Sequence, residues 1–316
     1  MHIKRSVWTL AQIRLFLMSY ISMTTQSNAA TYPVIYKTTT VDGVKMFYRE
    51  AGAKDAPVIL LLHGFPSSSR MFATLIPLLA DKYHVIAPDY PGFGHSDAPP
   101  PDKFAYTFQH LAGCVDKFTE QIGITSYALY LQDYGGPIGF WLAVAHPERV
   151  TALIIQNAVV HLEGLSEAWT IRKAFWDNRA AYEEKMRQAL LSPDVARQRH
   201  TGGVTAPEQI DPDTWTDEFA FLTRPGMDRI QLELMFDYRS NVDAYPRWQT
   251  YLREHRPPTL VVWGKNDPLF TVDGALAFRR EIPDAEIHLL NASHFALDEQ
   301  VNTVASLMKQ FLTRPC

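Results

Sequence analysis

Apolar positions along the chain fall into two alternating kinds of segment. Short runs at residues 33–40, 45–50, 58–62, 84–88, 127–131, 150–155, 259–263 and 286–290 have the length and content of strands. Those at 58–62, 150–155 and 259–263 are almost wholly aliphatic, the pattern of strands covered on both faces of a parallel sheet. Between the runs, residues 71–81, 107–121, 137–145, 273–280 and 299–312 carry helical spacing. Strand and helix in turn predict an α/β fold, a doubly wound, mostly parallel eight-stranded sheet.

From about Val159 to Tyr245 the alternation stops, and charge, tryptophan and helical periodicity (168–191, then 228–239) take over. An insert of this kind predicts a helical lid, residues 159–245, over the carboxyl edge of a core built from residues 31–158 and 246–316. Trp169, Trp176 and Phe221 are read as lid core, because rings of that size usually bury large areas in packing.

The 316 residues are 47% hydrophobic and 20% charged, enough apolar content for a substantial core and unlike a disordered chain. A net charge of -4 gives no pull toward nucleic acid or anionic lipid, which leaves a small hydrophobic molecule as the expected partner. Cys114 and Cys316 make neither a disulfide framework nor a metal cluster. His63, His84, His95 and His110 share no ligand spacing with carboxylates, so no metal and no cofactor are expected.

The first thirty residues stand apart. Met1-His2-Ile3-Lys4-Arg5 is basic, residues 6–23 are mostly apolar, and Ser27-Asn28-Ala29 ends in small residues like a signal-peptidase site. Gln12 and Arg14 interrupt the apolar stretch, which is too short and broken for a stable membrane span. Two readings stand: a cleaved leader and a periplasmic or secreted protein, or translation from Met23 and a cytoplasmic one.

The chemistry is concentrated in Gln132-Asp133-Tyr134-Gly135-Gly136, which follows an apolar strand and precedes a helix. A strand entering a glycine-flanked turn before a helix is a nucleophile elbow, which exposes one side chain at the carboxyl edge of a sheet. Here that side chain is Asp133, although an aspartate before a helix is also a favoured cap. An alkylated serine would be an ether that water does not readily cleave. An alkylated carboxylate is an ester whose carbonyl can be attacked, so Asp133 points to alkyl transfer followed by ester hydrolysis.

Partners for such a nucleophile lie after other strands. His294 follows the last strand and is the expected base; Asp267 follows the strand before it and is the expected orienter of the imidazole. The chain order nucleophile, acid, histidine is that of the elbow folds. In His63-Gly64-Phe65-Pro66 the glycine permits close backbone approach, and the amides of Phe65 and Tyr134 are the expected oxyanion donors. The turn from Asp89 to Asp97 reads as structural.

With these motifs, residues 33–316 resemble the α/β-hydrolase superfamily, specifically its aspartate-nucleophile branch of epoxide hydrolases and haloalkane dehalogenases. The resemblance is specific for the fold and less so for the leaving group. His63-Gly64-Phe65-Pro66 looks like the epoxide-hydrolase form of the oxyanion loop, whereas dehalogenases tend to carry asparagine or glutamate at the position of Phe65 and tryptophan at that of Tyr134. Asp237-Tyr238-Arg239-Ser240-Asn241 resembles the lid segment whose tyrosine protonates an opening oxirane, which makes Tyr238 the expected acid. The family's second lid tyrosine is assigned to Tyr182, with Tyr245 and Tyr251 as rivals.

Epoxide hydrolysis is therefore the leading expectation and dehalogenation the alternative, since Ser67-Ser68-Ser69 and the elbow also look like some dehalogenases. Hydrolysis of an activated ester or haloacid ranks lower, because no arginine adjoins the nucleophile in sequence. A catalytically silent ligand-binding protein on the same fold ranks lowest, since a complete set of reacting residues argues against it.

Overall fold

Alternate residues of each central strand feed two separate apolar layers, which is why these strands are apolar over most of their length. The computed structural model describes residues 32–314, so the expected leader at residues 1–30 and Cys316 lie outside the described residues. The order is β1 (Ile35–Val41), β2 (Val44–Ala51), β3 (Val58–Leu62), α1 (Leu75–Leu79), β4 (His84–Pro88), α2 (Phe108–Gln121), β5 (Tyr127–Gln132), α3 (Gly135–Ala145), β6 (Val150–Gln156), α4 (Thr170–Asp177), α5 (Arg179–Leu190), α6 (Pro193–Thr201), α7 (Asp213–Leu222), α8 (Met227–His255), β7 (Thr259–Gly264), α9 (Val272–Glu281), β8 (Glu286–Leu290) and α10 (Ala296–Leu312).

The eight strands form one sheet in the order β1-β2-β4-β3-β5-β6-β7-β8. β2 runs antiparallel to β1 and β4, and every pairing from β4 to β8 is parallel. Leu60, Leu129, Leu153 and Val261 face a layer shared with α2, α3 and α9. Ile59, Tyr130, Ile154 and Leu260 face the opposite layer, with α1 and α10. Each such aliphatic side chain contributes about 1.5–3 kcal/mol when fully buried. The expected doubly wound, mostly parallel eight-stranded sheet is the architecture found.

Several helices differ from their expected bounds. Residues 71–81 form a single-turn 3-10 helix (Ser69–Phe72) and then the short α1, because Pro77 has no N–H to bond to a preceding turn. Residues 168–191 split at Asn178, whose non-helical backbone (φ -143°, ψ 80°) ends α4 and whose side chain caps α5 through the Ala181 amide. The helix expected to end at 239 continues to His255, past the expected boundary at residue 245 and through Pro246. A proline inside a helix removes one backbone hydrogen bond, but packing of Tyr245, Trp248 and Leu252 into the core carries the helix onward. Among the described residues no helix is long and apolar enough to cross a membrane.

Candidate active site

The elbow is built from close backbone contacts that only glycine permits. Asp133 leaves β5 with a left-handed φ of 47°, and its carbonyl accepts the Gly136 amide at 2.9 Å, starting α3 two residues earlier than the sequence suggests. A Cβ on Gly135 would lie 2.1 Å from the Leu62 carbonyl oxygen, and one on Gly64 would lie 2.4 Å from the Asp133 Cβ. These glycines let the loop after β3 close over the end of β5. The strain of a non-glycine residue at positive φ is tolerated because the surrounding contacts fix it.

That closure aims one donor directly at the carboxylate. The Phe65 amide donates to Asp133 Oδ1 at 2.7 Å, and the Tyr134 amide is a second donor to the same side chain. The other oxygen, Oδ2, faces His294 Nε2 at 3.7 Å. His294 Nδ1 in turn meets Asp267 Oδ2 at 2.7 Å, and the Asp267 side chain has no exposed surface. The three residues picked from the ends of β5, β7 and β8 thus meet at the carboxyl edge of the sheet.

Burial and charge act against each other here. Burial raises the pKa of Asp133, offset in part by His294, by the two amides and by Arg172. Burial pulls the His294 pKa down, but the charge and hydrogen bond of Asp267 and the charge of Asp133 outweigh it, and the net shift is upward.

Two further residues escaped the sequence reading. Asn157, after β6, donates from Nδ2 to Asp267 Oδ2 at 2.7 Å and accepts the Gly264 amide at 2.8 Å, so it fixes the Asp267 loop. Its left-handed φ of 43° suits asparagine, which was the available sequence signal. Gln132 brings its amide nitrogen to 3.0 Å from His294 Nε2. The turn at Asp89 is scaffold, as expected, and His63 joins it: Tyr90 donates to the His63 carbonyl, and Asp89 accepts the amides of Ser69 and His95.

A cavity of about 370 Å³ opens over Asp133 and His294, and Phe65 and Tyr134 also line it. Tyr238 does not. Its ring is buried on α8, 4.6 Å from that of Trp169 and 5.8 Å from that of Tyr134. Tyr182 is half-buried on α5 and is not on the cavity wall, and neither are Tyr245 and Tyr251. The resemblance that suggested these tyrosines does not say which face of each helix meets the cavity.

Trp169, read from sequence as packing alone, is buried and also lines the cavity, with its indole N–H spent on the Leu269 carbonyl at 3.1 Å. Trp176 and Phe221 stay away from the wall. Arg172 and Arg199 reach the wall from the segment between β6 and β7, an approach that the residues adjoining Asp133 in sequence gave no hint of. Among the described residues no group of three or more His, Cys, Asp or Glu side chains could hold a metal ion.

Comparison with known proteins agrees with this architecture. A family model described as alpha/beta hydrolase fold matches residues 57–301. An uncharacterized hydrolase of Saccharomyces cerevisiae is 40% identical over 268 residues, covering 84% of this chain and 92% of that one. A haloalkane dehalogenase of Bradyrhizobium diazoefficiens is 45% identical over 117 residues, 37% of each chain. The solved structure of an epoxide hydrolase from Vigna radiata superposes with a TM-score of 0.68 at 20% identity, covering 88% of this chain and 97% of that one, a likeness of fold. With the sheet order and the elbow described above, the family match makes this chain a hydrolase of the alpha/beta hydrolase fold family.

Proposed function

We propose that the protein hydrolyses epoxides to vicinal diols through an ester on Asp133. The observation that carries this reading is the division of labour within one carboxylate of the cavity wall: Oδ1 accepts the Phe65 amide, while Oδ2 lies 3.7 Å from His294 Nε2. Oδ2 attacks an oxirane carbon, the ring C–O bond breaks, and the alkoxide takes a proton. His294, held by Asp267, then accepts a proton from water as the water attacks the ester carbonyl. The oxyanion forms on Oδ1, already beside its amide donors; collapse breaks the bond from the carbonyl carbon to Oδ2, which leaves in the diol, and the proton held by His294 returns to the group that protonated the alkoxide.

The proton for the alkoxide is assigned to Tyr238, whose pKa is pushed well above its usual value by burial and then by Tyr245 and Asp133, so it carries a proton at neutral pH. Its ring lies 4.6 Å from that of Trp169, which lines the cavity, and 5.8 Å from that of Tyr134. The helices between β6 and β7 act in this reading as a lid over the reacting groups.

Dehalogenation is the second reading, favoured by the 45% identity of a 117-residue stretch to a haloalkane dehalogenase. Against it, the indole N–H of Trp169 is bonded to a backbone carbonyl and gives a departing halide no donor. Styrene oxide and 1-bromobutane separate the two: diol without halide release supports the first, and bromide release without diol overturns it. A single turnover in heavy-oxygen water should label the Asp133 carboxylate, and His294→Gln should accumulate the ester as a mass increase on the peptide containing Asp133. An unlabelled carboxylate removes the ester mechanism.

A further inference from the structure

The cavity wall is apolar over most of its area, yet it carries three cations, Arg172, Lys185 and Arg199, against a single carboxylate, Asp133. Arg199 is the most confined. Its Nη1 is shut off from solvent with no hydrogen-bond partner, and its guanidinium lies 5.1 Å from the centre of the Phe65 ring, beside the nucleophile's amide donor. Among the described residues neither Arg199 nor Arg172 has a carboxylate within ion-pair distance. The acid with the largest influence on Arg199, Glu218, is already bonded to His200 at 2.8 Å. Arg172 spends one donor on the Ala168 carbonyl and stacks on Trp169.

A guanidinium nitrogen shut off from solvent without a partner is costly, and apolar side chains do nothing to offset it. The cost shows in Arg199 itself, whose pKa burial lowers to about 10. A ligand that brings its own anion removes this cost, and the planar fork of arginine matches a carboxylate. We infer that the substrate is an epoxide bearing a carboxylate, that this carboxylate pairs with Arg199, and that Arg172 and Lys185 add to the attraction from further along the wall. The apolar wall then takes the carbon chain between the two polar ends.

This inference rests on the epoxide reading for its reacting group but not for its anion site, and two measurements keep them apart. One compares kcat/KM for an epoxy acid and for its primary amide in the wild type, Arg199→Gln and Arg199→Lys. The other measures binding of hexanoate and hexanamide by calorimetry, which needs no turnover. The acid should be favoured over the amide by about tenfold or more in the wild type, as expected for a charge-assisted pair. That ratio should collapse toward one in Arg199→Gln and be kept in part by Arg199→Lys.

Equal use of acid and amide by the wild type overturns the inference and leaves epoxide hydrolysis standing. So does a loss in Arg199→Gln that is the same for both. If no epoxide is turned over while hexanoate binds in an Arg199-dependent way, the anion site stands and the reaction assigned above fails.

Discussion

Gln132 and His294 are closer to each other than His294 is to the nucleophile: the Gln132 amide nitrogen lies 3.0 Å from His294 Nε2, and Asp133 Oδ2 lies 3.7 Å away. With Nδ1 donating to Asp267, Nε2 is an acceptor and Gln132 its donor, an arrangement available only to neutral imidazole. Removing that donor favours the cation. Gln132→Met should therefore move the acid limb of the pH–rate profile to higher pH, with activity lost sooner on acidification. A limb that moves down would mean that Gln132 instead accepts from protonated His294.

Asp133 is one of the two charges that hold the His294 pKa up, and forming the ester abolishes it. The imidazole should be less basic in the ester intermediate than in the resting protein. Ester hydrolysis needs the neutral form and is lost as pH falls through the pKa of the intermediate. In a rapid-quench experiment its acid limb should lie below the His294 titration followed by NMR in the free protein. Coincident values would show that Asp133 and His294 are not electrostatically coupled.

Gly135→Ala places a methyl group 2.1 Å from the Leu62 carbonyl oxygen, a backbone atom that cannot rotate away. The variant should lose about 1–3 kcal/mol of stability, typical of overpacking. It should also lose activity beyond that, because the Tyr134 amide moves with the turn. Denaturant melts and initial rates check both, and a variant of wild-type stability would contradict the contact.

His200 joins three helices: Nε2 meets Glu218 of α7 at 2.8 Å and Nδ1 meets Asp298 of α10 at 2.9 Å, while His200 itself is on α6. Burial lowers its pKa, but the two carboxylates outweigh this and lift it from 6.5 to about 9. A folded-state pKa above the unfolded value stabilises fully below about pH 6.5, and that stability is lost as pH rises through about 9. Melting temperature should fall between pH 6.5 and 9 in the wild type and change less in His200→Gln. Equal slopes would remove His200 as the cause.

The sheet and the three residues at its carboxyl edge were legible along the chain before any packing was known. Strands buried on both faces must be aliphatic, and an elbow that brings Gly135 against Leu62 must keep its glycines, so both leave marks that are local in the chain. Asp133, Asp267 and His294 were legible because each follows a strand, and the ends of parallel strands share an edge.

Tertiary structure alone decided the rest. Asn157 acts on Asp267 across 110 positions of chain, and Gln132 on His294 across 162, with no periodicity to signal either. The segment between β6 and β7 shows the same limit. Helical spacing predicted helices there, but that Arg172 and Arg199 line the cavity while Tyr182 and Tyr238 do not depends on how those helices pack against the core. An amphipathic pattern fixes which side of a helix is apolar, whereas the cavity takes its walls from several helices whose relative rotation no single stretch of sequence encodes.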